Sequence, residues 1–300
     1  MAGTAYARTL GSVRIRLDIA YDGAQFRGWA RQPHHRTVQG TIEHALARVL
    51  GGDPRLVVAG RTDAGVHATG QVAHLDLDDE QQHRLLARRG AGVDQVMQLA
   101  RRLNGVFGSY ADVGVTATGV AADGFDARFS AVWRRYEYRV ADDAVAYDPL
   151  ERHRTTNVRG VLDLAAMDAA AQSLRGLHDF AAYCKPRDEA TTIRTLLEFD
   201  WRRDRDGVLV ANVKADAFCH SMVRALVGAC VAVGQGRVGI DDVVRIRNEL
   251  ERVPQVKVLA ARGLTLTEVG YPEDELLAER AEQTRARRAL GAITSALDLD

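Results

Sequence analysis

Residues 60–68 read Gly-Arg-Thr-Asp-Ala-Gly-Val-His-Ala and place an acid, a base and a hydroxyl between small residues. The segment follows an apolar run at 56–59, which is typical of a short buried strand. Its two glycines allow a tight backbone that brings main chain close to a ligand. A lone loop aspartate is usually a turn or capping residue, but Arg61 can keep a shielded Asp63 carboxylate ionised. A carboxylate nucleophile requires such an ionised, partly dehydrated aspartate.

The elements around this loop follow from periodicity. Residues 13–19 alternate apolar and polar side chains, which predicts a strand with one apolar face. Thr37 predicts the N-cap of a helix that Gly51 ends. Beyond the loop, the pattern predicts further strands near 71–77, 128–140, 191–203, 208–216 and 258–269, and further helices near 93–103, 163–175, 217–233 and 241–252.

This order lacks strict β-α-β alternation, so it favours an α+β fold with helices packed on a central, largely antiparallel sheet. The second part of the chain repeats the mixture of strands and helices predicted for the first. This repetition predicts two similar halves with an active-site cleft between them. We assign residues 1–150 to an N-terminal half carrying the aspartate loop and 151–272 to a C-terminal half completing the cleft. Residues 273–300 form a charged tail, either helical or frayed.

Composition excludes several classes of protein. With 46% hydrophobic residues among 300, the chain is not mainly disordered. Its three cysteines are too few and too irregularly spaced for a disulfide framework or a zinc knuckle, which favours reduced thiols. We find neither a signal peptide nor a run approaching ~18 apolar residues. The sequence therefore predicts a soluble, cytoplasmic protein.

Overall charge is zero, but it is unevenly distributed. Residues 1–40 carry six arginines against two aspartates, whereas residues 271–300 carry seven acids against four arginines. A basic N-terminal region suits a polyanion partner, although a solvated charged face explains it equally well.

Two further sites have alternative interpretations. Tyr136 shares a strand face with Arg134, so the pair could stack bases and hold phosphates, or belong to an aromatic core strand. His220 and Arg224 lie four apart on a predicted helix and therefore on one face. An inward-facing arginine needs a carboxylate partner, whereas one at the solvent edge does not.

A metal site formed by His67 and His74 with nearby aspartates does not fit the usual ligand spacings. We interpret His67 as a structural, hydrogen-bonding residue. Motifs for nucleotide phosphates, dinucleotides and serine nucleophiles are absent from the sequence. Two alternative functions are considered. One is a metal-dependent RNA hydrolase using Asp63, His67 and His74, and the other is a non-catalytic RNA-binding module.

The loop at 60–68 resembles the signature of the tRNA pseudouridine synthase A family, whose aspartate is the catalytic nucleophile. Other blocks resemble this family in order between residues 13 and 272: 21–23, 28–29, 31–32, 37–39, 126–131, 135–136, 179–180, 218–228 and 263–264. The chain departs from the family pattern in an Arg/Gly-rich stretch at 80–112, in Ala225 where asparagine is common, and in the tail after 272.

The resemblance implies the pseudouridine synthase fold and a homodimer without cofactor or metal that binds one tRNA across both subunits. It implies isomerisation of uridine to pseudouridine at positions 38, 39 and 40 of the anticodon stem-loop. Asp63 would be the nucleophile or the base at C2′, and Arg61 would displace the base or hold phosphate. Tyr136 would stack on the flipped uracil and assist proton loss at C5, while Arg224 would pair with Asp63. The residues expected to contact the RNA backbone are Arg14, Arg16, Arg27 and Arg31.

Overall fold

The computed structural model describes residues 13–86, 92–186, 191–250 and 256–286, with side chains from residue 95 onward in the helix that opens the second range. Ten strands in this part of the chain form one sheet. The strands are β1 (Val13–Tyr21), β2 (Val57–Val58), β3 (His67–Leu77), β4 (Val113–Val120), β5 (Trp133–Ala141), β6 (Thr156–Asn157), β7 (Gly176–Asp179), β8 (Ile193–Arg203), β9 (Leu209–Ala215) and β10 (Leu264–Gly270).

Helices and strands are interspersed along the chain without regular alternation. The helices are α1 (Val38–Leu50), α2 (Asp79–Leu86), α3 (Gly92–Phe107), α4 (Leu164–Ser173), α5 (Met222–Gly234) and α6 (Ile240–Asn248). A seventh helix, α7, covers residues 277–286. The main path of the sheet runs β4-β1-β3-β10-β5-β9-β8-β7, with β2 on β3 and β6 on β5. Only the β3–β10 and β5–β6 pairs are parallel among these strands, so the expected α+β, largely antiparallel sheet is observed.

The position of β10 connects distant parts of the sequence. This strand, which comes after residue 150, lies between β3 and β5, which come before it. Strands from both parts of the sequence therefore form one continuous sheet. The division into two similar halves therefore stays a prediction, while the sheet itself brings the two sequence regions together.

Alternation along β1 separates the two faces of the sheet. Ile15, Leu17 and Ile19 are fully buried, whereas Arg14 and Arg16 lie on the opposite face. Burying branched apolar side chains on one face supplies the main stabilisation, at about 25 cal/mol per Å² of apolar surface. On the buried side of the sheet, α3 packs on β4 and α4 packs on β8.

Several predicted boundaries differ from those observed, for local reasons. β5 begins at Trp133 rather than near residue 128, because the Asp126 side chain accepts the backbone N–H groups of Arg128 and Phe129 and closes a turn. α5 begins at Met222 rather than at residue 217, because Ser221 adopts a left-handed φ of 65°. The stretch 217–221 is consequently a turn.

The tail is partly integrated into the fold. Within α7, Leu277 and Ala281 are buried, and the carbonyl of Leu277 accepts a hydrogen bond from Ser130. Arg285 pairs with Asp126 at 2.8 Å. The first part of the predicted tail is therefore a packed helix, and residues 287–300 lie outside the described residues.

Candidate active site

The loop between β2 and β3 is held by the segment that follows β1. The amide of Trp29 donates to the carbonyl of Thr62 at 3.0 Å, and the Thr62 hydroxyl bonds the hydroxyl of Tyr21 at 2.8 Å. Gly28 has a φ of 93°, and a Cβ there would lie 3.0 Å from the Thr62 carbonyl. This close approach explains a glycine at that position, and it fixes the backbone on either side of Asp63.

Asp63 projects from this loop toward the N-terminal end of α5. Its Oδ2 lies 3.6 Å from Nη1 of Arg224, and its Oδ1 lies 3.6 Å from Nε2 of His220. The side chain of Asp63 is 37% exposed, whereas that of Arg224 is 21% exposed. The structure thus brings Arg224 to Asp63, and it adds His220 on the other carboxylate oxygen.

Contacts of α5 with the segment before β10 set the position of Arg224. The Nε atom of Arg224 donates to the carbonyl of Leu259 at 2.7 Å, and the amide of Leu259 donates to the carbonyl of Arg224. A Cβ at Gly228 would lie 1.9 Å from the carbonyl of Lys257, so only glycine permits this approach. The guanidinium of Arg224 is therefore oriented by its hydrogen bond to the backbone carbonyl of Leu259, on the segment that packs against α5.

The turn at 217–221 makes one ring contact with the site and is itself held by two further contacts. The ring of Phe218 meets that of Tyr136 edge-on, with centroids 5.2 Å apart. Cys219 forms a disulfide with Cys184, Cα atoms 5.8 Å apart, and the amide of Lys185 donates to the carbonyl of His220. The expectation of reduced thiols is therefore wrong for this pair, because residues 35 apart in sequence meet only in the folded chain.

Tyr136 differs from the other buried tyrosines of the described chain. Burial raises its pKa well above the ordinary value, so its hydroxyl stays protonated. The hydroxyls of the other buried tyrosines bond protein partners: Tyr21 to Thr62, Tyr138 to Thr156, Tyr183 to Val243 and, from a partly buried ring, Tyr271 to Ala127. The Tyr136 hydroxyl has no protein partner among the described residues. Because Tyr136 lines the cleft, this hydroxyl is available to a ligand.

These groups line a cleft of about 790 Å³ between α1, the aspartate loop, β5 and the turn before α5. Arg61 is exposed within it and has no side-chain partner among the described residues. Arg134 is half-buried at the edge of the cleft and connects three segments, donating to the carbonyls of Ala59, Arg128 and Asp216. Such a volume suits one nucleotide-sized ligand.

The four arginines expected to contact RNA occupy two places. Residues side by side in neighbouring strands share a face, and the pairs Tyr136–Leu266, Leu266–Ala68 and Ala68–Tyr21 connect the cleft to the buried face of β1.

Arg14 and Arg16 therefore lie on the face opposite the cleft. Arg14 is bound to Asp76, and Arg16 to Asp18. Arg27 is exposed, and Arg31 lies at the rim, its amide bonded to the cleft residue Gln39.

The histidines proposed as rival metal ligands are engaged elsewhere. His67 accepts the amide of Gly23 at Nδ1 and bonds the carbonyl of Arg262 through Nε2. His74 accepts the amide of Ala127. These bonds agree with the structural role inferred for His67, and no cluster of three potential ligands occurs within the described residues.

Two site features were not predicted from the residues alone. Arg55 was not considered, yet it lies beside the cleft residue Leu56 and shares the buried carboxylate of Glu43 with Arg31, at 3.7 and 3.6 Å. The contacts of Arg134 were also not predicted, because a strand pattern does not indicate which carbonyl groups a guanidinium will bond. The apolar run at 56–59 and the acid at residue 43 were the available signals.

Comparisons with known proteins identify the family of this chain. A family model described as tRNA pseudouridine synthase matches residues 170–272. The tRNA pseudouridine synthase A of Leifsonia xyli subsp. xyli is 60% identical over 93% of this chain and 99% of its own length. That of Frankia casuarinae is 53% identical over 93% of this chain and 97% of its own length. That of Corynebacterium glutamicum is 45% identical over 96% of this chain and 99% of its own length.

The full-length relatives define the class as pseudouridine synthases, which are isomerases. With relatives this similar over nearly the whole chain, the protein belongs to the tRNA pseudouridine synthase A family (EC 5.4.99.12). Among solved structures, a 3-hydroxy-3-methylglutaryl-coenzyme A reductase of Streptococcus pneumoniae covers 79% of this chain and 67% of its own at a TM-score of 0.22 and 10% identity, too low to bear on the fold. In the described part of the chain, we find no helix of the length and apolarity needed to cross a bilayer.

Proposed function

We propose that this protein isomerises uridine to pseudouridine at positions 38, 39 and 40 of the tRNA anticodon stem-loop, with Asp63 as the catalytic carboxylate and no cofactor. The observation that supports this most strongly is the Asp63 carboxylate itself. It lies in a cleft of nucleotide size on a loop fixed by backbone hydrogen bonds, with the guanidinium of Arg224 beside Oδ2.

The reaction breaks the N1–C1′ bond, turns the uracil and joins C5 to C1′. The proton leaves C5 and N1 regains one, so atoms and electrons balance within the nucleotide. This isomerisation requires no electron acceptor and no group donor. It requires a carboxylate close to the ribose and an enclosed site that retains the free uracil.

Asp63 acts either by attack on C1′ or by removal of the C2′ proton. Both require an ionised carboxylate in a defined orientation. Arg224 supports that orientation, because its Nη1 lies 3.6 Å from Oδ2. The exposed Arg61 is free to hold a phosphate or to enter the space that a flipped base vacates.

Tyr136 forms one wall of the cleft and receives the uracil ring by stacking, which is worth about 1–3 kcal/mol per base. Its protonated, unpartnered hydroxyl assists the transfer of the proton leaving C5. Arg27 and Arg31, on the cleft side of the sheet, contact the RNA backbone. Arg14 and Arg16, on the opposite face, are the less favoured two of the four expected contacts.

The proposal includes a homodimer that binds one tRNA across both subunits in the cytoplasm. It is tested by incubating the full chain with an unmodified tRNA transcript that carries uridines at all three positions, with and without EDTA, and mapping pseudouridine. We expect pseudouridine at those positions, an intact strand and no effect of EDTA. Strand cleavage that EDTA abolishes would support the metal-dependent hydrolase instead.

A further inference from the structure

His220 contacts the proposed catalytic carboxylate but has no role in the function proposed above. Its Nε2 atom lies 3.6 Å from Oδ1 of Asp63, while Arg224 approaches Oδ2 at the same distance. We propose that His220 is a positioning residue for Asp63. Together with Arg224 it fixes the rotation of the carboxylate about its Cβ–Cγ bond, so that a defined oxygen faces the ribose; this rests on the proposed function.

The carboxylate needs such a restraint because its own environment does not provide one. The terminal torsion of an aspartate is broad, and the Asp63 side chain is 37% exposed. Contact at Oδ2 alone leaves the other oxygen free to move around that point. A second contact at Oδ1, from a different segment of backbone, removes this freedom.

The backbone of His220 is itself held firmly, so its side chain can act as a fixed reference. Its carbonyl accepts the amide of Lys185 at 2.9 Å. The neighbouring Cys219 is bonded to Cys184, and Ser221 adopts the left-handed conformation that turns the chain into α5. The turn therefore presents the imidazole from outside the helix that carries Arg224.

The imidazole of His220 also differs from those of His67 and His74. Those two rings are buried and bonded to backbone groups. The His220 side chain is 44% exposed toward the cleft, and Asp63 is its side-chain partner among the described residues.

The test compares His220→Ala and His220→Gln with the wild-type full chain. His83→Ala, an exposed histidine on α2, serves as the control. The measurements are the single-turnover rate of pseudouridine formation at saturating enzyme, the tRNA Kd and the melting temperature. Misplacing a reacting group by about 1 Å costs on the order of 10²-fold in rate, so we expect a loss of that size in His220→Ala with unchanged tRNA Kd.

The glutamine amide can present an N–H group toward Oδ1 from the same turn, so His220→Gln should recover most of the lost rate. A wild-type rate in His220→Ala would overturn the inference. So would an unchanged single-turnover rate in both variants with a weakened Kd, because His220 would then bind RNA rather than orient Asp63. An inactive wild-type protein would contradict the proposed function as well, whereas an active wild type with an equally active His220→Ala contradicts this inference alone.

Discussion

The guanidinium of Arg224 and the carboxylate of Asp63 lie 3.6 Å apart, an ion pair without a close hydrogen bond. The two groups come from α5 and from the loop before β3, and each is held by its own backbone contacts. Because Asp63 is more than a third exposed, water screens the attraction and its contribution to folding stability is small. The pair is consequently better suited to orienting a reacting group than to stabilising the fold.

Replacing Arg224 separates these two effects. Arg224→Met removes the cation at Oδ2 and the bond to the Leu259 carbonyl. We expect a severe loss of turnover but a loss of only about 1 kcal/mol in unfolding free energy, the typical worth of one hydrogen bond. Arg224→Lys keeps the charge but cannot contact both Asp63 and the Leu259 carbonyl. Its activity should therefore fall between those of the wild type and Arg224→Met. Wild-type turnover in Arg224→Met would contradict the role assigned to this pair.

Tyr136 offers a test of the unpartnered hydroxyl. If it assists proton transfer from C5, Tyr136→Phe should lower the single-turnover rate by a factor of ~10²–10⁴ and leave tRNA binding unchanged. Tyr136→Leu should lose both chemistry and affinity. The matched control is Tyr138→Phe on the same strand face, whose hydroxyl bonds Thr156; it should lose stability but keep its chemistry. Equal rates in wild type and both Tyr136 variants would assign this residue to the core.

The two groups of arginines should respond differently to salt. Arg31→Gln removes a cation at the cleft rim, so the slope of log K for tRNA against log salt should fall by about 1. Arg14→Gln removes a cation already bound to Asp76 on the opposite face and should leave the slope unchanged. Filter binding between low and moderate salt measures both. An equal loss of slope in the two variants would show that RNA also contacts the outer face.

His74 should make the fold sensitive to acid. Burial, with a smaller effect of Arg14, lowers the pKa of His74 to about 4 from 6.5. Between these values the unfolded chain binds a proton that the folded chain does not, so stability is full above pH 6.5 and declines as the pH falls toward 4. We expect this residue to reduce the unfolding free energy by about 1–2 kcal/mol between pH 7.5 and 5.

Urea denaturation at the two pH values measures this loss. His74→Asn retains an acceptor for the Ala127 amide without a titrating ring, so its stability should vary less with pH. An identical pH dependence in the variant and the wild type would assign the acid sensitivity to other groups.

Local signals in the sequence predicted much of the fold. The helix after Thr37 is confirmed from Val38 to Leu50, with the threonine side chain accepting the amide of Gly40 as its cap. The strands predicted near 191–203 and 208–216 are confirmed as β8 and β9, which pair as a hairpin around Asp206-Gly207. Each of these depends on residues within one or two turns of chain, where periodicity and capping are informative.

Elements defined by distant pairing could not be predicted in the same way. β3 begins at His67 rather than near residue 71, because His67 and Ala68 pair with β10, almost two hundred residues away. β4 was missed, although Val113, Val115 and Ala117 alternate with glycine and threonine along it. Family resemblance directed attention to Asp63, Tyr136 and Arg224, but the contact of His220 with Asp63 depends on a turn where the pattern predicted a helix.

The most direct test of the central claim is pseudouridine formation by Asp63→Asn. The amide keeps the size of the side chain but can neither attack C1′ nor accept the C2′ proton. We predict that the purified variant folds, melts near the wild-type temperature and binds the tRNA transcript with unchanged Kd, yet forms no pseudouridine while the wild type modifies positions 38, 39 and 40. Measurable turnover by Asp63→Asn would contradict the account.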